Sequence, residues 1–214
     1  MSLVETKPPR LSRRSNGMEL PPEDFDAVTR WDPAYRYELI HGVVIVSPIP
    51  AEGEAQPVDR LGYLLQRYQA DHPKGASLDL TLPERYVYLS DGSRRRADRV
   101  VWAGLGRQPD PKLDPPSIAI EFVSKSRSDR KRDYEIKRRE YREVGVAEYW
   151  IIDRFSRTMT VSFVDGTERL VAEQEAYESR LLPGFELPLQ ELLAIADRWK
   201  SPPAIRRSRR RTTD

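Results

Sequence analysis

With 214 residues, 38% apolar and 33% charged, the chain can bury one sizeable core and is not composed like a wholly disordered polymer. No apolar run approaches the roughly 20 residues of a membrane-spanning helix, and the first residues carry no apolar leader, so neither a span nor a secretory signal is expected. The absence of cysteine excludes disulfides, thiolate metal sites and cysteine nucleophiles, and it agrees with a cytoplasmic location. The net charge of +2 is unevenly spread: +3 over residues 1–17, +5 over residues 200–214, and −6 over the body between them. The expected organisation is therefore one domain over 18–199 between two solvated basic tails. Arg206, Arg207, Arg209, Arg210 and Arg211 in the second tail could hold a polyanion by counterion release, which gives affinity without sequence choice.

In chain order, Pro21, Pro22, Glu23 and Asp24 open a short helix carrying Phe25, Val28 and Trp31. Two β-rich runs, 36–40 and 43–46, flank His41-Gly42 as a hairpin. Residues 48–55 read as a loop. Beyond it Val58, Leu61, Leu64, Leu65 and Tyr68 recur at helical spacing to about Ala70. Strands are expected at 77–82, 85–89 and 98–103, then a central strand at 117–123, whose apolar run implies cover on both faces. A charged helix over 128–144 closes at Gly145, and strands follow at 148–153, 158–164 and 167–172. A last helix runs from Leu189 to Trp199. The pattern is mixed α/β, with a strand–helix–strand crossover over 117–153.

Three side chains are costly where this pattern puts them. Glu121 sits in the most apolar strand, where an ionised carboxylate must be paired, bound to a cation or turned to a solvated face. Asp98 begins another strand, a position that also suits a turn residue. Lys137 shares a helix face with Tyr134, Tyr141 and Val144, so its ammonium either snorkels to water or meets carboxylates at the strand ends. Two carboxylates and a lysine form a phosphodiesterase constellation: hard oxygens for Mg2+, and an ammonium to orient water or stabilise charge. Glu38, in the first hairpin, either joins this acidic pocket or pairs with an arginine across the strands. The two histidines, His41 in a turn and His72 at a helix end, cannot build a zinc site, and no P-loop or serine-hydrolase motif is present.

These residues resemble a known family. Tyr37–Ile40 with Gly42, Ala97–Val101, Ile120–Ser124, the run from Asp133 through Lys137 to Tyr141, and Glu148–Asp153 together look like the Uma2 (DUF820) family of the PD-(D/E)XK restriction-endonuclease-like superfamily. The resemblance covers about 19–199. It implies a restriction-endonuclease-like central mixed sheet flanked by helices, with an added N-terminal helix and hairpin. It also implies that Asp98 takes the place of the Asp of the PD element and Glu121 that of the acidic residue of the (D/E)XK element. Val123 stands where the simple motif has lysine; the family pattern moves the lysine to the next helix, where Lys137 matches. Glu38 matches the upstream acidic residue, and the Phe122 carbonyl is a further implied metal ligand. Ala97 replaces the usual proline before Asp98, and Ala55 the usual histidine before Gln56.

Two functions are compatible with this reading. One is a Mg2+-dependent endonuclease, with Mn2+ able to substitute, acting on phosphodiester bonds of nucleic acid, DNA first. The other is a catalytically weak or inactive nucleic-acid-binding or assembly module on the same fold, forming a homodimer.

Overall fold

The structure is a computed structural model and describes residues 10–124 and 126–198. A short helix α1 (Pro22–Asp26) precedes the hairpin β1 (Tyr35–Ile40) and β2 (Val43–Pro48). Helix α2 (Glu52–Asp71) leads into β3 (Leu78–Tyr88), β4 (Arg94–Ala103) and β5 (Ile118–Phe122). Next come α3 (Arg127–Lys131), a π-helical stretch (Arg132–Ile136) and α4 (Lys137–Glu143), which together form the expected charged helix. Strands β6 (Glu148–Asp153), β7 (Thr158–Phe163) and β8 (Glu168–Ala172) follow, then β9 (Ala176–Glu178), β10 (Glu186–Pro188) and α5 (Leu189–Asp197). One mixed sheet runs β2-β1-β4-β5-β6-β7-β8, with β3 also paired to β4. Within it β5 and β6 are parallel, as the crossover requires, and the other described pairs are antiparallel.

Alternation along the strands decides which residues face which helix. In β5, Ile118 and Ile120 join Leu61, Leu64 and Leu65 of α2 and Leu192 and Leu193 of α5 in one core. Ala119 joins Tyr141 and Tyr149 in a second core on the opposite face, beneath α4. Glu121 has the parity of Ala119 and therefore lies on the α4 side. In β4, Val100 and Trp102 also face that second core, so Asp98 does too, whereas Arg99 is turned toward α2.

Several expectations need correction. Helix α2 begins at Glu52, inside the expected loop, because Glu52 and Glu54 place negative charge at its amino end. Pro57 lies within that helix and offers no N–H to the Gly53 carbonyl, which accepts from Arg154 Nη1 at 3.5 Å. The strands expected at 77–82 and 85–89 form one continuous β3, with Glu84 at φ +55 in its middle. Arg10–Gly17, expected as solvated tail, is ordered: Leu11 is buried and bridges Trp31, and Ser12 and Ser15 form a capping box. The short β9–β10 pair was not anticipated. Gly145 does end α4, at φ +86, with Val146 N–H bonded to the Tyr141 carbonyl at 2.9 Å.

Two stability predictions follow from this packing. The buried Arg99 guanidinium donates to the Val58 carbonyl and Thr81 Oγ1, and a Cβ at Gly62 would overlap it. Gly62→Ala should therefore cost about 1–3 kcal/mol in urea unfolding through overpacking; a gain of about 1 kcal/mol, as helix propensity alone dictates, would refute this. Fully buried Asp153 accepts from Arg130, Tyr134 and the Phe155 and Ser156 amides. Burial pulls its pKa up, but the Arg130 hydrogen bond and the amides outweigh burial and hold it below 3.8. Its contribution is thus present above pH 3.8 and lost as pH falls through the lower folded value. Asp153→Asn should remove that part of the acid loss, as measured by unfolding across pH 2–6.

Candidate functional site

β4 and β5 pair through Arg99↔Ile120, and one step further along lie Asp98 and Glu121, side by side on the α4 face. Asp98 Oδ2 accepts the Phe122 amide at 2.8 Å, which ties the two strand ends together. Its Oδ1 accepts from Arg36 Nη1 at 3.1 Å. Glu121, only 4% exposed, accepts from Lys137 Nζ at 2.7 Å and from the Tyr141 hydroxyl at 3.1 Å. Both bonds fall on Oε1, so neither engages Oε2. Lys137, itself 3% exposed, also donates to the Arg96 carbonyl at 3.4 Å and lies 3.9 Å from Asp133 Oδ1. Glu38 Oε1 accepts the Arg96 amide at 2.8 Å, and its Oε2 stands 4.0 Å from Arg95 Nη1.

Asp98, Glu121, Lys137 and Glu38 therefore line one pocket with Phe122. The pocket is polar and mixed in charge. Asp133 adds a further carboxylate, and Arg36, Arg96 and Arg132 stand on its walls. Burial pushes the Glu121 carboxyl up against the pull of Lys137, with Asp98 and Asp133 adding to the rise. Desolvation pulls Lys137 down, but the surrounding carboxylates, Glu121 first, outweigh it and hold the ammonium above its usual range. Asp133 is likewise raised by burial, with Lys137 and Arg132 opposing.

The helix carrying Lys137 is locally unwound. The Lys137 amide bonds the Arg132 carbonyl, five residues back. In an α-helix it would take the Asp133 carbonyl, which here accepts the Tyr149 hydroxyl at 3.0 Å. Tyr149 on β6 thus holds the wide turn open, and the turn directs Arg132, Asp133 and Lys137 together at the pocket.

Asp133, Arg36, Arg96 and Tyr141 had no assigned role in the sequence reading. The signal for Arg36 was available, since it precedes Glu38 by two residues in an expected strand and so shares its face. Arg96 instead precedes the expected start of its strand at 98, and it gains the face of Asp98 only because β4 begins at Arg94. Asp133 and Tyr141 stand four residues either side of Lys137, on its own helix face. Arg206, Arg207, Arg209, Arg210 and Arg211 lie outside the described residues. Among the described residues, no group of three or more His, Cys, Asp or Glu is placed to hold a metal ion by itself.

Comparison with known proteins gives the chain a family. The Uma2 family model, described as "Putative restriction endonuclease", matches residues 22–190, and the chain belongs to that family. Among solved structures, a protein from Anabaena variabilis described as a putative nuclease belonging to DUF820 is similar, with a TM-score of 0.64 at 14% identity. The match covers 83% of this chain and 99% of that one. No curated protein matches this chain. The resemblance seen in the residues thus holds at the level of family, and the restriction-endonuclease-like mixed sheet is the observed fold. No described helix is long and apolar enough to cross a membrane.

The buried pair makes its own prediction. Lys137→Met leaves the Glu121 carboxyl without its cation and should cost about 3–5 kcal/mol in urea unfolding. The double variant Lys137→Met/Glu121→Gln should be more stable than the sum of the two single losses predicts. Strict additivity would mean that the two side chains do not depend on each other.

Proposed function

We propose that this chain is a divalent-metal-dependent endonuclease of the cytoplasm, hydrolysing phosphodiester bonds of DNA with Mg2+, or Mn2+ in its place. The observation that carries this reading is the meeting of Asp98, Glu121 and Lys137, from two strands and a helix, in one pocket. Their donor chemistry fits a hard cation. Asp98, Glu121 and the Phe122 carbonyl would hold it through oxygen alone, and Mg2+ completes such partial sets with water and substrate phosphate. That completion accounts for a site without three clustered side-chain ligands of its own. When bound, the ion would polarise the phosphate and lower the pKa of a water molecule.

The remaining work falls to the chain. Lys137 is oriented by Glu121 Oε1 and the Arg96 carbonyl, and its ammonium would align the attacking water or stabilise charge on the phosphoryl oxygens. In the reaction the water oxygen bonds to phosphorus, the bond to the leaving sugar oxygen breaks, and one water proton ends on that oxygen. Glu38, anchored on the Arg96 amide, keeps the wall beside Asp98 acidic. The arginines of 206–211 would add sequence-independent hold on DNA. The cysteine-free composition agrees with a reducing compartment.

Thermal unfolding with and without Mn2+, beside cleavage of supercoiled plasmid, tests the proposal. Mn2+ at about a hundred times its dissociation constant should stabilise the native chain by about 2.7 kcal/mol, and Asp98→Ala should abolish both this rise and the cleavage. A wild-type chain whose melting temperature ignores Mn2+ refutes it. Mn2+ binding and DNA retention without cleavage would leave the binding-module reading in its place.

A further inference from the structure

The pocket carries a cationic arrangement that the carboxylates and the lysine do not explain. Arg36 reaches Asp98 Oδ1 with Nη1 and the Glu84 carboxylate with Nη2. Glu84 also pairs with Arg96 Nε at 2.8 Å. That carboxylate is delivered from the middle of β3 by a left-handed backbone, φ +55, which a strand does not need and a glutamate adopts only at a cost. Arg36 Nε is buried without a hydrogen-bond partner. The guanidinium is thus incompletely satisfied, stands on the wall of the pocket and is tethered to a strained residue. It also lies against a carboxylate that the proposed ion would need.

A cation arriving at Asp98 meets Arg36 as a like charge on the same carboxylate. The ion must displace the guanidinium from Oδ1, whereas Glu84, lying outside the proposed ligand set, keeps Arg36 within reach. The freed fork has the planar, two-pronged geometry that matches two phosphate oxygens. We infer that Arg36 is a phosphate-gripping residue held in reserve on Asp98, released by the divalent ion and then taken up by the scissile phosphate. For its phosphate this rests on the endonuclease reading; its competition with the ion does not.

Arg36→Gln tests both halves, because displacement and a merely structural brace predict opposite signs. With Mn2+ alone, followed by thermal shift, the variant should bind about fivefold tighter, since the ion no longer breaks an ion pair. Weaker or unchanged Mn2+ binding overturns the inference. With a fluorescent DNA duplex, wild type and variant should bind alike in EDTA, and only wild type should tighten when Ca2+ is added. Equal tightening of both also overturns it. In Mg2+ the variant should cleave about 100-fold more slowly despite its better ion binding. If Arg36→Gln does not fold, Arg36→Lys keeps a cation on Asp98: Mn2+ affinity should stay near wild type while the Ca2+-dependent gain in duplex binding falls. A wild type that cleaves no DNA, beside a variant that binds Mn2+ more tightly, supports the displacement and removes only the endonuclease reading.

Discussion

The constraint on which this architecture turns is the ion pair between Glu121 and Lys137. Each group is almost fully withdrawn from water, and withdrawing a single charge costs several kcal/mol, so neither is tolerable without the other. The pairing sets the register of β5 against α4, because a shift of one residue along either element would strand both charges. It also sets the surroundings. Tyr141 supplies Glu121 with a second donor, and the Arg96 carbonyl takes part of the ammonium's remaining capacity. Asp98 is drawn in through the Phe122 amide, the residue that follows Glu121 in the chain.

Most of this site was legible from two periods. Alternation in β4 and β5 places Asp98 and Glu121 on one face, and the three-and-four spacing of Tyr134, Lys137 and Tyr141 places the lysine opposite them. Val123 shows why a displaced lysine can serve: it shares the parity of Glu121 and is buried in the core beneath α4. A lysine from that strand position and one from the helix would approach the same space. What escaped the sequence reading depends on distant partners. The wide turn at Arg132–Ile136 needs the hydroxyl of Tyr149, which lies beyond the helix on another strand. The ordering of Arg10–Gly17 rests on the burial of Leu11 beside Trp31, a contact that the surrounding positive charge concealed. The interruption at Glu84 looked like a strand boundary, because only the paired β4 keeps the chain extended through it.

A buried carboxylate in an apolar strand is not by itself a sign of chemistry, and the molecule contains its own control. Glu148, at the start of β6, is as deeply buried as Glu121. It is satisfied by neutral donors, Trp150 Nε1, the Tyr177 hydroxyl and Ser179 Oγ, which join β6 to the β9–β10 region. Glu121 differs in having a cation as its principal partner and an open pocket before it. The distinction lies in what answers the charge, and neutral donors from the surrounding fold mark a structural part.

The five-residue turn ties the winding of this helix to the number of residues in it. Such a turn is equivalent to one residue inserted into an α-helix. Upstream of it Arg130 grips Asp153 at 2.6 Å, and downstream of it Lys137 grips Glu121. Winding all of these residues as regular α-helix would rotate one half by about one residue's 100° relative to the other, whereas deleting one residue as well would take up that rotation. At unchanged length, regular winding would therefore break one of the two grips. Among homologous chains a single-residue gap in this segment should consequently go with a regular helix that keeps both grips, and an alignment that fails to open that gap would set Ile136 or Arg138 in the place of Lys137.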